Sequence, residues 1–507
     1  MNWRSALCLL SIAVLSFAES VRAEPIKLHP DNPHYFLYQG RPTILITSAE
    51  HYGAVINKDF DYVAYLDALR AYGLNYTRIY PGYLIEPNNK FIRGNTLAPT
   101  PDGLILPWAR SDKPGYRLGG NLFDVDRWDA AFFARLKDFV AKAAERGIVV
   151  EVCLFNAQYK DTWPISPLFH ENNIQGIGDC DFKDAQTLKH ADLVQRIEAY
   201  TREITTAVNP FDNVILEICD EPYFTGTPPE LAGQWIADML KVIQRTESGL
   251  PNRHLVAQQV EGLNGPCDFA DNPGISVVTA QYIWNTEGDQ VGGMRMLELK
   301  YGCNKPIELN ETGYYPIWYK GDPVADSRAE AWEFIVGGGA GFNHLNGQFK
   351  VANPAGDTPD NQRVLAALRN LKDFMASFDF LKMKPDMSMV RSEIPENTYC
   401  RGMSEPGKQY AIYLHHSVRP KRLEADTKLQ QYKALPGEYQ HDFVLRLPAG
   451  TYQVEWIEPA SGNVIRTDRL ASKNDDQTLA TPTYTVDIAL RIKRTEDKGS
   501  PGSPASK

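Results

Sequence analysis

Residues 129–155 read DAAFFARLKDFVAKAAERGIVVEVCLF, and the stretch holds one complete unit of the fold. Phe132, Leu136, Phe139, Val140 and Ala143 recur at three- and four-residue intervals, the spacing that lines side chains along one face of a helix. Gly147 then supplies a helix stop, because a residue without Cβ turns the chain left-handed at little cost. The run 149–155 (VVEVCLF) follows as a strand.

Working outward, the same alternation covers residues 40–375. Apolar, β-rich runs stand at 43–47 (TILIT), 76–80 (YTRIY), 149–155, 213–219 (NVILEIC), 254–258 (HLVAQ), 276–282 (SVVTAQY), 306–309 (PIEL) and 341–345 (GFNHL). Amphipathic helices separate them, the segment 60–71 with its stop at Gly73 repeating the design of 129–145. Strands alternating with helices imply parallel strands joined by right-handed crossovers. Eight such units predict an α/β fold of the (β/α)8 TIM-barrel type. An open doubly wound sheet is the alternative, and the chain has no glycine-rich phosphate loop after its first strand to support it.

After the expected last barrel helix at 361–378 the period changes to two. Runs at 410–414 (YAIYL), 443–447 (FVLRL), 451–457 (TYQVEWI) and 484–492 (YTVDIALRI), with turns at Pro448-Ala449-Gly450 and Pro459-Ala460-Ser461-Gly462, predict a smaller antiparallel β-sandwich. It is either a buttress or a sugar-binding module; the lack of a long Gly/Ser linker favours the buttress. The expected divisions are a signal peptide at 1–23, a barrel at 24–378, a sandwich at 379–494 and a disordered tail at 495–507. The signal is read from Arg4, the apolar run from Ala6 to Phe17, and the small residues Val21 and Ala23 before the cut. That run is about 12 residues where a membrane span needs roughly 20, so a secreted or periplasmic protein without membrane insertion is expected.

The chain carries 53 Lys and Arg against 63 Asp and Glu, a formal charge of −10. An acidic balance disfavours nucleic acid as a partner. Outside 1–23 the cysteines are Cys153, Cys180, Cys219, Cys267, Cys303 and Cys400; Cys153 and Cys219 sit in apolar strands, and Cys267 with Cys303 is the one candidate bridge. No His-x-His follows the first strand, and neither a recurring Cys or His spacing nor a Gly-x-Ser-x-Gly occurs, so no metal and no cofactor are expected.

In a barrel of this kind the site is built at the C-terminal strand ends. Two glutamates stand there, Glu221 in NVILEICDEPY and Glu311 in PIELNETGYY. Cleaving an acetal needs one carboxylic acid to protonate the departing oxygen and one carboxylate to meet the developing positive carbon, about 5–5.5 Å apart when configuration is retained. Two carboxyls in one cleft also push each other's pKa values apart. The in-strand Glu217 and Glu308 would be buried in the barrel's packed layers and would need partners; strand ends displaced by three residues would make Glu308 the rival nucleophile.

Asp220-Glu221-Pro222 after the fourth strand and Glu311-Thr312-Gly313 after the seventh make the sequence resemble the cellulase-type family 5 glycoside hydrolases and their relatives in clan A. It is also similar to apiosidase-like barrels with a C-terminal sandwich. The resemblance implies Glu221 as acid/base, Glu311 as nucleophile, Arg78 and Tyr282 as hydrogen-bonding supports of the nucleophile, and a carbohydrate substrate. Asp220 replaces the family's asparagine, which contacts the sugar 2-hydroxyl; an ionised aspartate would raise the pKa of Glu221. Phe342-Asn343-His344 stands where a tryptophan often floors the sugar site.

His51 and His344 are further candidates to line the pocket, each with a structural role as the alternative. Aromatics after the strands (Trp108, Tyr116, Tyr159, Trp163, Phe169, Tyr223, Trp284, Tyr314, Trp318) suit either sugar faces or loop anchoring. The expected function is retaining hydrolysis of O-glycosidic bonds in a polysaccharide or oligosaccharide. A non-catalytic carbohydrate-binding barrel and a sugar-acid lyase or isomerase are the competing readings. Glutamine variants and chelator sensitivity separate the three.

Overall fold

The computed structural model describes residues 24–222, 226–260, 268–280, 293–313, 321–418 and 432–495. The expected signal segment and most of the tail lie outside them. Eight parallel strands form one sheet: β1 (Leu45–Ala49), β2 (Tyr76–Ile79), β3 (Val149–Asn156), β4 (Val214–Asp220), β5 (Leu255–Gln259), β6 (Val277–Ala280), β7 (Ile307–Gly313) and β8 (Gly341–Leu345). Their order is β1-β8-β7-β6-β5-β4-β3-β2. Asn75, just before β2, closes the ring. Its amide nitrogen donates to Ile44 O at 2.9 Å, its amide oxygen accepts from Ile46 N at 3.0 Å, and its backbone N donates to Ile46 O at 3.3 Å. The sheet is therefore a TIM barrel and not an open sheet.

Seven helices surround it among the described residues: α1 (Tyr62–Ala71), α2 (Ala130–Ala144), α3 (Ala191–Val208), α4 (Pro229–Ser248), α5 (Gly293–Lys300), α6 (Pro323–Val336) and α7 (Pro359–Ala376). Between β5 and β6 residues 261–267 lie outside the described residues. Residues 268–276, leading into β6, form turns instead of a helix. The face read for α2 is the buried one, and Asp129 caps its start by accepting from Ala131 N and Phe132 N.

Several strand ends differ from expectation, and two of the differences bear on the site. Strand β4 runs through Asp220, and β7 runs four residues past Leu309, with a register shift against β8 between Leu309 and Thr312. A β-bulge of this kind re-aims the side chains around it. Glu311 accordingly lies on its strand and not beyond it.

The sandwich is built from β9 (Thr398–Glu405), β10 (Gln409–Val418), β11 (Asp442–Arg446), β12 (Gly450–Ile457), β13 (Val464–Ser472), β14 (Asp476–Ala480) and β15 (Asp487–Arg494). The main antiparallel sheet runs β9-β10-β15-β12-β13, and β11 pairs with β14. Periodicity missed β9, β13 and β14. Strand β13 (VIRTDRLAS) shows why: it is exposed on most of its length, so it needs no apolar alternation.

Helix α6 lies between the barrel and this sheet, with every residue from Val324 to Val336 buried. Trp332 meets Phe374 of α7 on one side and Tyr413 of β10 on the other. Three of the helix's charges are paired across the contact, and the fourth, Glu330, accepts from Thr312 OH on β7. Arg328 donates to both oxygens of Asp487 at 2.8 and 3.1 Å, and Asp326 accepts from Ala434 N at 2.6 Å. Glu333 accepts from Tyr432 OH and lies 3.2 Å from Arg401 Nε.

The Cys303 thiol is free, against the suggested bridge, and Cys267 lies outside the described residues. No helix among the described residues is long and apolar enough to cross a membrane.

Candidate active site

Arg78, central in β2, is fully buried and organises the barrel mouth. Its Nη1 donates to Glu311 Oε2 at 2.9 Å, its Nη2 lies 3.0 Å from Asp220 Oδ1, and its Nε and Nη2 donate to Glu217 Oε2 at 2.8 and 2.5 Å. Nε also lies 3.9 Å from Glu151 Oε2. One guanidinium therefore faces four carboxyl groups. The rings of Tyr52 and Tyr80 stand 5.0 and 5.4 Å from it, and Tyr52 is in a left-handed conformation, with φ at 65°.

Glu221 follows β4 directly, and its own backbone is left-handed, with φ at 49°. Few non-glycine residues adopt this region, and surrounding bonds must hold them there. Here the Glu221 N–H donates to Gln259 Oε1 at the end of β5, and Tyr159 OH donates to Glu221 Oε2. The turn aims the carboxyl at the mouth, beside Asp220. Burial first, and then the neighbouring Asp220, push the Glu221 carboxyl up to about 8, with the Tyr159 hydrogen bond acting the other way.

Glu311 is more open: its side chain keeps 12% of its exposure, whereas those of Arg78 and Glu217 keep none. Burial, Asp220 and Glu221 push its carboxyl upward while Arg78 opposes them. Glu221 is among the groups that raise the Glu311 carboxyl, so the two lie within electrostatic reach of each other.

Asp220 accepts from Tyr80 OH and from Asn156 Nδ2 at 2.7 Å, in addition to facing Arg78. Below this layer lie Glu151, Glu217 and Glu308, all fully buried. Tyr76 OH donates to Glu151, and Asn310 Nδ2 donates to Glu217 Oε1 at 3.0 Å. Glu308 has no hydrogen-bond partner among the described residues. It occupies the space left by Gly341, where a Cβ would fall 2.5 Å from Glu308 Cγ. Burial, and then Glu217, push its carboxyl up to about 8.

A solved structure described as a glycoside hydrolase shares 13% identity across 94% of this chain and 98% of its own, with a TM-score of 0.60. A family 5 glycoside hydrolase from Bacteroides vulgatus ATCC 8482 shares 12% identity across 93% of this chain and 94% of its own, with a TM-score of 0.61. The chain shares the fold of these two structures. No family model matches it, and no curated protein matches it in sequence. At these identities the likeness speaks for the fold, and the chemistry has to be argued from the residues.

Within that fold the remaining sequence candidates divide. His51 is buried after β1 with Nε2 2.8 Å from Glu86 Oε2, an oxygen that also accepts from Asn95 Nδ2 at 2.9 Å. His344 is buried on β8 with Nδ1 3.0 Å from Ser48 Oγ, and burial lowers its pKa to about 3. It is a neutral ring. Tyr282 and Trp284 lie outside the described residues, as do Tyr223, Tyr314 and Trp318. Trp108, Tyr116 and Trp163 are buried loop anchors. Trp108 stacks on Tyr200 at 5.3 Å, Tyr116 OH donates to Ile165 O, and Trp163 Nε1 donates to Cys180 O.

Of the loop aromatics among the described residues, Tyr159 is the one that reaches a candidate catalytic group. The sequence reading passed over Tyr80, Asn156 and Gln259, although all three stand at or just past strand ends. That position was the signal that could have found them. A groove of about 440 Å³ between α7 and the sandwich, lined by Tyr72, Arg369, Asn370, Asp373 and Arg491 among others, involves none of these residues.

Proposed function

We propose that the protein is an exported retaining glycoside hydrolase that cleaves O-glycosidic bonds of a polysaccharide or oligosaccharide without a cofactor. Its barrel at 24–378 would carry the chemistry and its sandwich at 379–494 would brace it. Glu311 attacks the anomeric carbon while Glu221 gives its proton to the leaving oxygen. A glycosyl ester on Glu311 results. Water then attacks that ester, Glu221 takes the water's proton, and Glu311 leaves as the carboxylate.

The contrast between the two carboxyls carries this reading. Glu311 receives a hydrogen bond from the Arg78 cation, which opposes the upward push of burial, Asp220 and Glu221 on its carboxyl and holds a charge there when it forms. Among the described residues Glu221 meets the neutral Tyr159 hydroxyl and no cation, and its raised pKa of about 8 keeps it protonated at neutral pH. The signal-like segment supports export. Activity on a panel of aryl glycosides tests the proposal. Glu221→Gln and Glu311→Gln should each lower kcat, the first by on the order of 10³-fold, and the first-formed sugar seen by NMR should keep its anomeric configuration. Inversion, or full activity in Glu311→Gln, would overturn it.

A further inference from the structure

Five carboxyl groups (Glu151, Glu217, Asp220, Glu308 and Glu311) occupy the barrel interior and mouth, and Arg78 meets four of them, all but Glu308. All five cannot be charged in a site closed to water, because the repulsion would far exceed what one guanidinium offsets. How the protons are shared is decided by which carboxylate holds Arg78 most closely. Glu217 does, with two donors on its Oε2 at 2.8 and 2.5 Å, and Asn310 fixes its other oxygen at 3.0 Å. With Nε and Nη2 engaged in this way, Nη1 is the nitrogen that reaches Glu311.

We infer that Glu217 is a positioning residue: it clamps Arg78 so that one N–H group points at Glu311, and it competes with Glu311 for the same cation. The inference rests on the roles proposed for Glu221 and Glu311. Two consequences separate positioning from plain structural support. Removing the charge of Glu217 while keeping its shape leaves more of Arg78's charge to Glu311, so Glu311 ionises at lower pH. Shortening the side chain while keeping its charge leaves the ionisation in place and mis-aims Nη1. Glu308, which touches neither Arg78 nor any other hydrogen-bonding group among the described residues, should do neither.

The experiment is the pH dependence of kcat and kcat/KM on an aryl glycoside that the protein hydrolyses, alongside thermal unfolding. Glu217→Gln should move the acid limb of kcat/KM down by roughly one pH unit. Glu217→Asp should leave that limb in place and lower plateau kcat by roughly tenfold, the scale of a misplaced catalytic group. Glu308→Gln should leave both unchanged. An acid limb unmoved in folded Glu217→Gln overturns the inference. Should that variant not fold, an unaltered plateau kcat in Glu217→Asp overturns it. Glu311→Gln is measured in parallel: full activity there removes the underlying reading, whereas an inactive Glu311→Gln with an unmoved Glu217→Gln limb removes the positioning role alone.

Discussion

The barrel interior and helix α6 both take charged side chains out of water, and they satisfy them in opposite ways. On α6 every charge has a partner: Arg328 with Asp487, Asp326 with the Ala434 N–H, Glu330 with Thr312, Glu333 with Tyr432 and with Arg401, which Glu298 shares. In the barrel four carboxyls crowd one arginine at 2.5 to 3.9 Å, and Glu308 beside them has no partner among the described residues. Balanced charge holds two parts of a chain together. Surplus charge of one sign leaves protons loosely shared, which is the condition acid/base chemistry uses. The strained Glu221 backbone stands at the unbalanced region as well.

The sharpest way to break this comparison is to unbalance α6. Arg328→Ala strands Asp487 in the contact and should cost about 3–5 kcal/mol of stability, read by denaturant unfolding, while kcat of the folded fraction stays as in the wild type. A loss of kcat without loss of stability would mean that α6 belongs to the site. Replacing the pair together, Arg328→Met with Asp487→Leu, should recover most of that stability, because a buried ion pair is often worth no more than apolar packing.

The barrel should respond to pH where α6 does not. Glu308 titrates near 8 in the folded chain and near 4.3 when unfolded. The folded state therefore holds its proton more tightly, and this contribution is fully present below about 4.3 and lost as pH rises through 8. Glu308→Gln, which cannot ionise, should match the wild type near pH 4 and exceed it by a few kcal/mol above pH 8. Equal unfolding curves at both pH values would mean that Glu308 is solvated. The smallest effect expected is at Tyr159. Its hydrogen bond to Glu221 favours the charged form, so Tyr159→Phe should raise the basic limb of kcat/KM by about half a pH unit to one, the equivalent of one hydrogen bond to a charged group.

Much of this was legible in order along the chain. The strand at 341–345 has the bounds read for it, and the face of α2 is the one its spacing selects. Strand β7 was read short because Asn310, Glu311 and Thr312 are polar, and polar residues look like a loop until neighbouring strands are seen to take up their backbone groups. Strand β13 was passed over for the converse reason. Its exposure removed the alternation that marks a half-buried strand. The candidates Glu221 and Glu311 were chosen by their place at two strand ends and by the resemblance of their motifs, and the expected pressure of Asp220 on Glu221 came from their adjacency in the chain.

Periodicity and punctuation were enough for the class of fold, because helix and strand repeats are properties of neighbours in the chain. The charge balance of the interior needed three dimensions. Arg78 meets Glu151, Glu217, Asp220 and Glu311 across 73 to 233 positions of sequence. Nothing local distinguishes Asp326 on a paired helix from Glu308 in a crowded barrel. Electrostatic energy depends on distance and on exclusion of water, and only the closed barrel and the docked sandwich determine those.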